Sequence, residues 1–126
     1  MGSCVLRATG DNFNPTDFLQ NTSIAPCNIF QKGERKSKSS YWNTSGITVD
    51  ISLENDFSRQ IADAIVFLKT FGAEINRLKE CPGLERMSLD FGVNNKSAFV
   101  QSYAFPIELI GLAFNFAIEL EISIYS

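Results

Sequence analysis

Apolar and polar positions alternate along this chain with two different periods. Over residues 47–53, Ile47, Val49, Ile51 and Leu53 face one way and Thr48, Asp50 and Ser52 the other, the period of a half-buried strand. Residues 87–93 repeat the pattern, with Met87, Leu89, Phe91 and Val93 set against Ser88, Asp90 and Gly92. The chain closes on a third such run, where Ile118, Leu120, Ile122 and Ile124 alternate with Glu119, Glu121, Ser123 and Tyr125. Two further strands are expected over 4–9 and over 98–105, the latter forming a hairpin with the strand before it across the turn Asn94-Asn95-Lys96-Ser97.

Between these runs the period changes to that of a helix. From about residue 55, Phe57, Ile61, Ile65 and Leu68 form one stripe with Ala64 beside it. Gly72 marks a kink, Ile75 and Leu78 resume the stripe, and Pro82-Gly83 ends it. A short helix opens at Asn14-Pro15-Thr16-Asp17, where Asn14 can cap, Pro15 suits the first helical position, and Phe18 and Leu19 pack inward. Pro106 opens another, to about residue 115. Residues 24–46 show no period and read as a long connection. The order is βα followed by βαββαβ, the split-βαβ, ferredoxin-like string. It predicts an α+β fold of two layers: a mainly antiparallel sheet of about five strands, with helices on one face.

With 126 residues, 44% of them hydrophobic and 20% charged, the chain is long enough for one core, so residues 1–126 read as a single domain. A net charge of −3 argues against a general nucleic-acid binder. No apolar run nears the roughly 18 residues of a membrane span and no secretory leader opens the chain, so a cytoplasmic protein without a membrane partner is expected. The opening Met-Gly-Ser-Cys-Val-Leu begins like a myristoylation signal, but Leu6 stands where Ser or Thr is required.

Much familiar chemistry is missing. The chain has no histidine, which removes the serine and cysteine triads that depend on it and every histidine-based metal site. Cys4, Cys27 and Cys81 are widely spaced and odd in number, neither a disulfide framework nor a C-x-x-C site. Cys27 could act as a nucleophile only if a helix end or a nearby cation lowered its pKa; the ordinary expectation is a small buried hydrophobe. No Walker motif, dinucleotide fingerprint or calcium loop occurs. The carboxylates, Asp50 with Asp90 or Glu119 with Glu121, fall on an open sheet face that offers no cleft for acid–base work. No cofactor, no metal and no enzymatic activity are expected.

What remains is surface. The sheet side away from the helices is expected to carry Thr48, Asp50, Ser52, Ser88, Asp90, Glu119, Glu121, Ser123 and Tyr125, a wet face with four acids and no base. It could steer a cationic partner, or be the polar face that antiparallel sheets commonly show to water. The second surface is Gln31-Lys32-Gly33-Glu34-Arg35-Lys36-Ser37-Lys38-Ser39-Ser40-Tyr41-Trp42. Here Lys32, Arg35, Lys36 and Lys38 could meet phosphates or acidic side chains, with Tyr41 or Trp42 as anchor. Alternatively this is a solvated loop whose Trp42 folds back beside the strand at 47.

The layout resembles a bacterial domain-of-unknown-function family, number four-two-seven-nine in that series. The residues carrying the likeness are the capped opening Asp11-Asn12-Phe13-Asn14-Pro15-Thr16-Asp17-Phe18, then Ile24-Ala25-Pro26, Lys32-Gly33 and Trp42-Asn43-Thr44-Ser45-Gly46, and the ending from Leu109 through Tyr125. The resemblance ties Lys32-Gly33 and Trp42 to the fold, whereas the basic run Glu34–Ser40 departs from the family pattern. It brings no catalytic residues, and it implies an immunity type of protein that binds and blocks a toxin.

Together these readings predict a non-enzymatic binding protein, an immunity protein acting on a cognate bacterial toxin. Either Asp50, Asp90, Glu119 and Glu121 mimic phosphates for a cationic toxin, or the Lys32–Trp42 stretch plugs an acidic cleft. The alternative is a small-molecule-binding regulatory domain, with Phe99, Tyr103 and Phe105 lining its site. A homodimer through an exposed strand edge stays open under either reading.

Overall fold

The computed structural model describes residues 3–126, so the acylation question at Gly2 lies outside the described residues. The elements are β1 (Cys4–Gly10), α1 (Pro15–Leu19), β2 (Asn28–Phe30), β3 (Arg35–Ser37), β4 (Ser40–Tyr41), β5 (Ser45–Ser52), α2 (Phe57–Thr70), α3 (Gly72–Lys79), β6 (Arg86–Asn94), α4 (Ile107–Asn115) and β7 (Ile118–Tyr125). Five strands form a mixed sheet in the order β2-β5-β1-β6-β7, and β3 and β4 form a separate small hairpin. The pairs β2–β5, β5–β1 and β1–β6 are antiparallel, while β6–β7 is parallel. The fold is α+β.

Register fixes the two faces. Leu6 sits opposite both Val49 and Leu89, and Leu89 opposite Leu120, so these residues share the side on which the helices lie. With Cys4, Ala8, Ile47, Met87 and Phe91 they form the core, closed by Ile61, Ala64 and Leu68 of α2, Ile75 and Leu78 of α3, and Leu109 and Ala113 of α4. Phe18 of α1 joins the same cluster, and the Asn14 side chain accepts from the Thr16 and Asp17 N–H groups as a cap should.

Three expectations need correction. Residues 98–105 form no strand, so the hairpin within the expected βαββαβ string does not exist; β6 instead finds β7 through the α4 crossover. The segment serves another purpose. The Gln101 side chain accepts from Lys96 N–H at 3.1 Å and donates to the Asn94 carbonyl at 2.7 Å, so an amide side chain does what a ladder would. Tyr103 and Phe105 then pack on Phe57, with ring centroids 4.9 and 5.7 Å away.

The second concerns the end of β5. A bulge opposite Cys4 and Val5 sets Val5 against Asp50 and Cys4 against Ser52. Ser52 is thereby buried on the helix side, donating to Asp63 Oδ2 at 2.7 Å, instead of lying on the polar face. Leu53, expected inside, lies past the strand end and is exposed.

Thirdly, the long helix is two. Phe71, with φ −107° and ψ 21°, ends α2 and starts α3, and Gly72 makes room for Phe116, whose ring would lie 3.2 Å from a Cβ there. The kink expected at Gly72 is thus a break between helices. Among the described residues no helix is long and apolar enough to cross a membrane.

Candidate functional site

The basic stretch is ordered from its backbone outward. Gly33 adopts φ +92°, a left-handed turn that glycine enters without steric cost, and its N–H donates to the Trp42 carbonyl at 2.9 Å. Trp42 N–H donates in turn to the Glu34 carbonyl at 2.9 Å, and Lys32 N–H to Ser45 Oγ at 2.9 Å. Arg35 pairs with Tyr41 and Ser37 with Ser40, closing the β3–β4 hairpin. What the sequence presents as an aperiodic connection is therefore a tied hairpin.

Its base is a stack. Phe30 lies opposite Gly46 in the β2–β5 pair, on the sheet face away from the helices. A Cβ on Gly46 would fall 2.8 Å from Phe30 Cζ and 2.5 Å from the Ala8 carbonyl oxygen, so only a bare α-carbon admits the ring. Trp42 stacks on Phe30 with centroids 3.9 Å apart and planes 15° from parallel. Trp42 thus folds back beside β5 rather than standing free. Lys36 Nζ lies 4.7 Å from the Trp42 ring centre and the Arg35 guanidinium carbon 5.9 Å from that of Tyr41, both within cation–π range. Lys32 approaches Asp11 at 3.9 Å, an exposed and weak contact. Arg35, Lys36 and Lys38 have no ion-pair partner among the described residues.

The acidic face differs from its expectation. Two bases occupy it, Arg7 from β1 and Arg86 from β6, which pairing register places beside the acids. Asp90 is only 5% exposed rather than wet: Arg7 Nη1 donates to its Oδ2 at 2.9 Å and Ser123 Oγ to its Oδ1 at 2.7 Å. Arg86 Nε pairs with Glu119 at 2.7 Å. Asp50 and Glu121 are exposed. Of four acids offered to a cationic partner, two already hold an arginine.

Asp50 lies near Cys27, which is exposed rather than a buried hydrophobe. Partial burial and then the neighbouring Asp50 charge push the Cys27 thiol up from its ordinary pKa, against what a nucleophile requires. Burial also raises the Cys4 and Cys81 thiols. Among the described residues no group of three or more Cys, Asp or Glu side chains is placed to hold a metal ion.

A cleft of about 250 Å³ opens where α2 begins, lined by Asp56, Phe57, Lys96, Ser102 and Tyr103 among others. Of the three aromatics expected around a small-molecule site, Tyr103 lines this cleft, Phe105 packs against Phe91 at 5.3 Å, and Phe99 stands wholly in solvent.

Sequence reasoning missed Phe30, Arg7 and Arg86, and singled out Gly46 only as part of a family motif. Arg7 was readable, since Leu6 and Ala8 flank it in the first strand and force it to the other face. Phe30 was not, because β2 is three residues long and carries no period.

No curated protein and no solved structure matches the chain. A family model described as Domain of unknown function (DUF4279) matches residues 2–126. That span takes in the cap at Asn14, the Lys32-Gly33 turn, and the Trp42 and Gly46 pieces of the stack. The chain belongs to the DUF4279 family.

Proposed function

We propose that this chain is a non-enzymatic binding protein whose β3–β4 hairpin docks into an acidic cleft of a protein partner, and that the partner is a toxin it neutralises. The observation that carries this reading is the pairing of cations without carboxylate partners, Arg35, Lys36 and Lys38, with a backbone held in place by the Gly33–Trp42 hydrogen bond and the Phe30–Trp42 stack. A charged loop ordered before contact loses little freedom on binding, which favours affinity. The hairpin version stands ahead of phosphate mimicry by the acidic face, because Arg7 and Arg86 already neutralise Asp90 and Glu119.

Titration calorimetry against a toxin-like protein encoded directly upstream of this chain's gene, once one is identified there, tests the proposal. Lys36→Glu with Lys38→Glu should abolish binding, whereas Asp50→Lys with Glu121→Lys should leave it intact. The reverse pattern restores the acidic face, and no binding by the wild type removes the toxin reading. Three unpaired cysteines suit a reducing cytoplasm as the compartment. We place the frame nearest the ferredoxin-like kind, since β5 and β6 run parallel on either side of β1 as a split βαβ unit, with β7 added outside.

The cleft beside Tyr103 favours a second reading, a small-molecule regulatory domain. A saturable rise in melting temperature with one compound of a metabolite panel, lost in Tyr103→Ala, supports it.

A further inference from the structure

The sheet has one blunted edge and one open one. At the first, β2 and the basic hairpin flank the start of β5. At the other, β7 pairs with β6 along all eight residues, Ile118–Tyr125, and with no other strand among the described residues. Asn95 N–H donates to the Tyr125 carbonyl at 2.7 Å. Successive residues of a strand turn their backbone groups to opposite sides, so Ile118, Leu120, Ile122 and Ile124 direct theirs to the free edge.

The helix above this edge has unlike flanks. Leu109 and Ala113 of α4 point into the core, and Glu108 pairs with Lys69 of α2. At 100° per residue, Ile107, Ile110 and Phe114 fall on the flank away from α2, Ile110 nearest the sheet and the other two turned further toward solvent. All three are exposed. Beside them Gly111 has open space where a side chain would stand.

We propose that this edge is the two-fold interface of a homodimer, with β7 pairing antiparallel to β7 of a second copy about a centre at Ile122. Charge selects both occupant and register. Centred on Glu121, the pairing would set Glu121 against its own copy; centred on Leu120, it would set Glu119 against Glu121 twice. Centred on Ser123, it would leave Ile118 and Glu119 without partners. About Ile122, Glu119 faces Tyr125, Glu121 faces Ser123, Leu120 faces Ile124 and Ile122 faces itself, so no like charges meet and the apolar rows coincide. The glutamates, which on an edge discourage indiscriminate pairing, here exclude the competing registers. Ile107, Ile110 and Phe114 of the two copies flank the seam and are covered with it. Because the hairpin lies at the opposite edge, the dimer carries two of them at the far ends of one continuous sheet, whatever they bind.

Sedimentation of the full chain reads the outcome. The wild type is expected at twice its 14.0 kDa mass. Ile122→Lys sets like charges opposite one another at the two-fold axis, and Phe114→Glu charges the exposed stripe. Each is expected to weaken self-association about 100-fold or more, with an unchanged far-ultraviolet circular dichroism spectrum. Phe114→Glu, at a solvent position, keeps the test valid if Ile122→Lys misfolds. In a Cys27→Ser, Cys81→Ser background, Ile122→Cys is expected to cross-link two chains on oxidation and Glu121→Cys is not, since only position 122 meets its own copy within disulfide range. A wild type that is monomeric at its highest soluble concentration overturns the proposal, even if another protein covers the edge. So does a dimer that ignores Phe114→Glu, or one that Ile122→Cys fails to cross-link.

Discussion

Phe30 lies against Gly46 so closely that a β-carbon on Gly46 would come within 2.8 Å of the ring. Gly46→Ala should therefore lift Phe30 and tilt Trp42 with it. The expected cost is about 1–3 kcal/mol, the usual range for overpacking. Trp42 is the one tryptophan, so its fluorescence maximum reports the displacement directly; an unshifted spectrum with unchanged stability would show that the stack does not rest on this glycine.

Gly33→Ala isolates the turn. The left-handed φ of +92° penalises any β-carbon by about 1 kcal/mol. Urea denaturation should show that loss, and hydrogen exchange should quicken at the amides of Gly33 and Trp42, which close the turn. Exchange rates equal to the wild type would refute the role given to this turn.

The Arg7–Asp90 pair predicts an asymmetry. Arg7→Met removes the stronger partner of a buried carboxylate and leaves Ser123 alone to hold it, at a cost of about 2 kcal/mol. Restoring charge balance with Asp90→Asn in the same chain should recover part of that loss. Equal stability of wild type and Arg7→Met, read from denaturant midpoints, would contradict the pairing.

How much of this was legible in the sequence follows from where the information sits. Alternation at 47–53, 87–93 and 118–125 named the strands that cross the core, and the stripe from Phe57 to Leu78 named the helical segment above them, though not its division in two, because burial imposes those periods directly. The capped helix at Asn14 was equally plain. Partner choice was not: Met87 gives no sign that its strand pairs with Ile118 in parallel rather than with a neighbour across a turn. The Arg7–Asp90 pair and the Gly46–Phe30 contact arise only from register between distant strands. As for the candidate site, its cations and Trp42 could be picked out by composition, but the hairpin that orders them rests on backbone hydrogen bonds that composition does not express.

Cys27 offers a chemical test. Its raised thiol pKa predicts slow alkylation near neutral pH, and Asp50→Asn should speed it by removing the adjacent charge. Mass spectrometry of the labelled peptide measures both rates. Rapid labelling in the wild type would mean that the thiol is activated instead.

Acid stability should show the contribution of Glu74. Ser23 and Thr22 hydroxyls and the Ser23 N–H donate to it, and these bonds hold its carboxyl below the ordinary value. A depressed folded-state pKa adds stability that is complete above the unfolded value of about 4.3 and is lost as pH falls through the folded one. The melting-temperature advantage of wild type over Glu74→Gln should thus shrink as pH drops below about 4. An advantage that grew on acidification would reverse the sign.

The position of β1 at the middle of the sheet bears on how the protein is made. Val5 must find Asp50 on one side and Asp90 on the other. On a ribosome this strand emerges well before either neighbour, so the nascent chain carries an unmatched apolar segment until β6 is released, which is the interval when a chaperone or a sister chain can seize it.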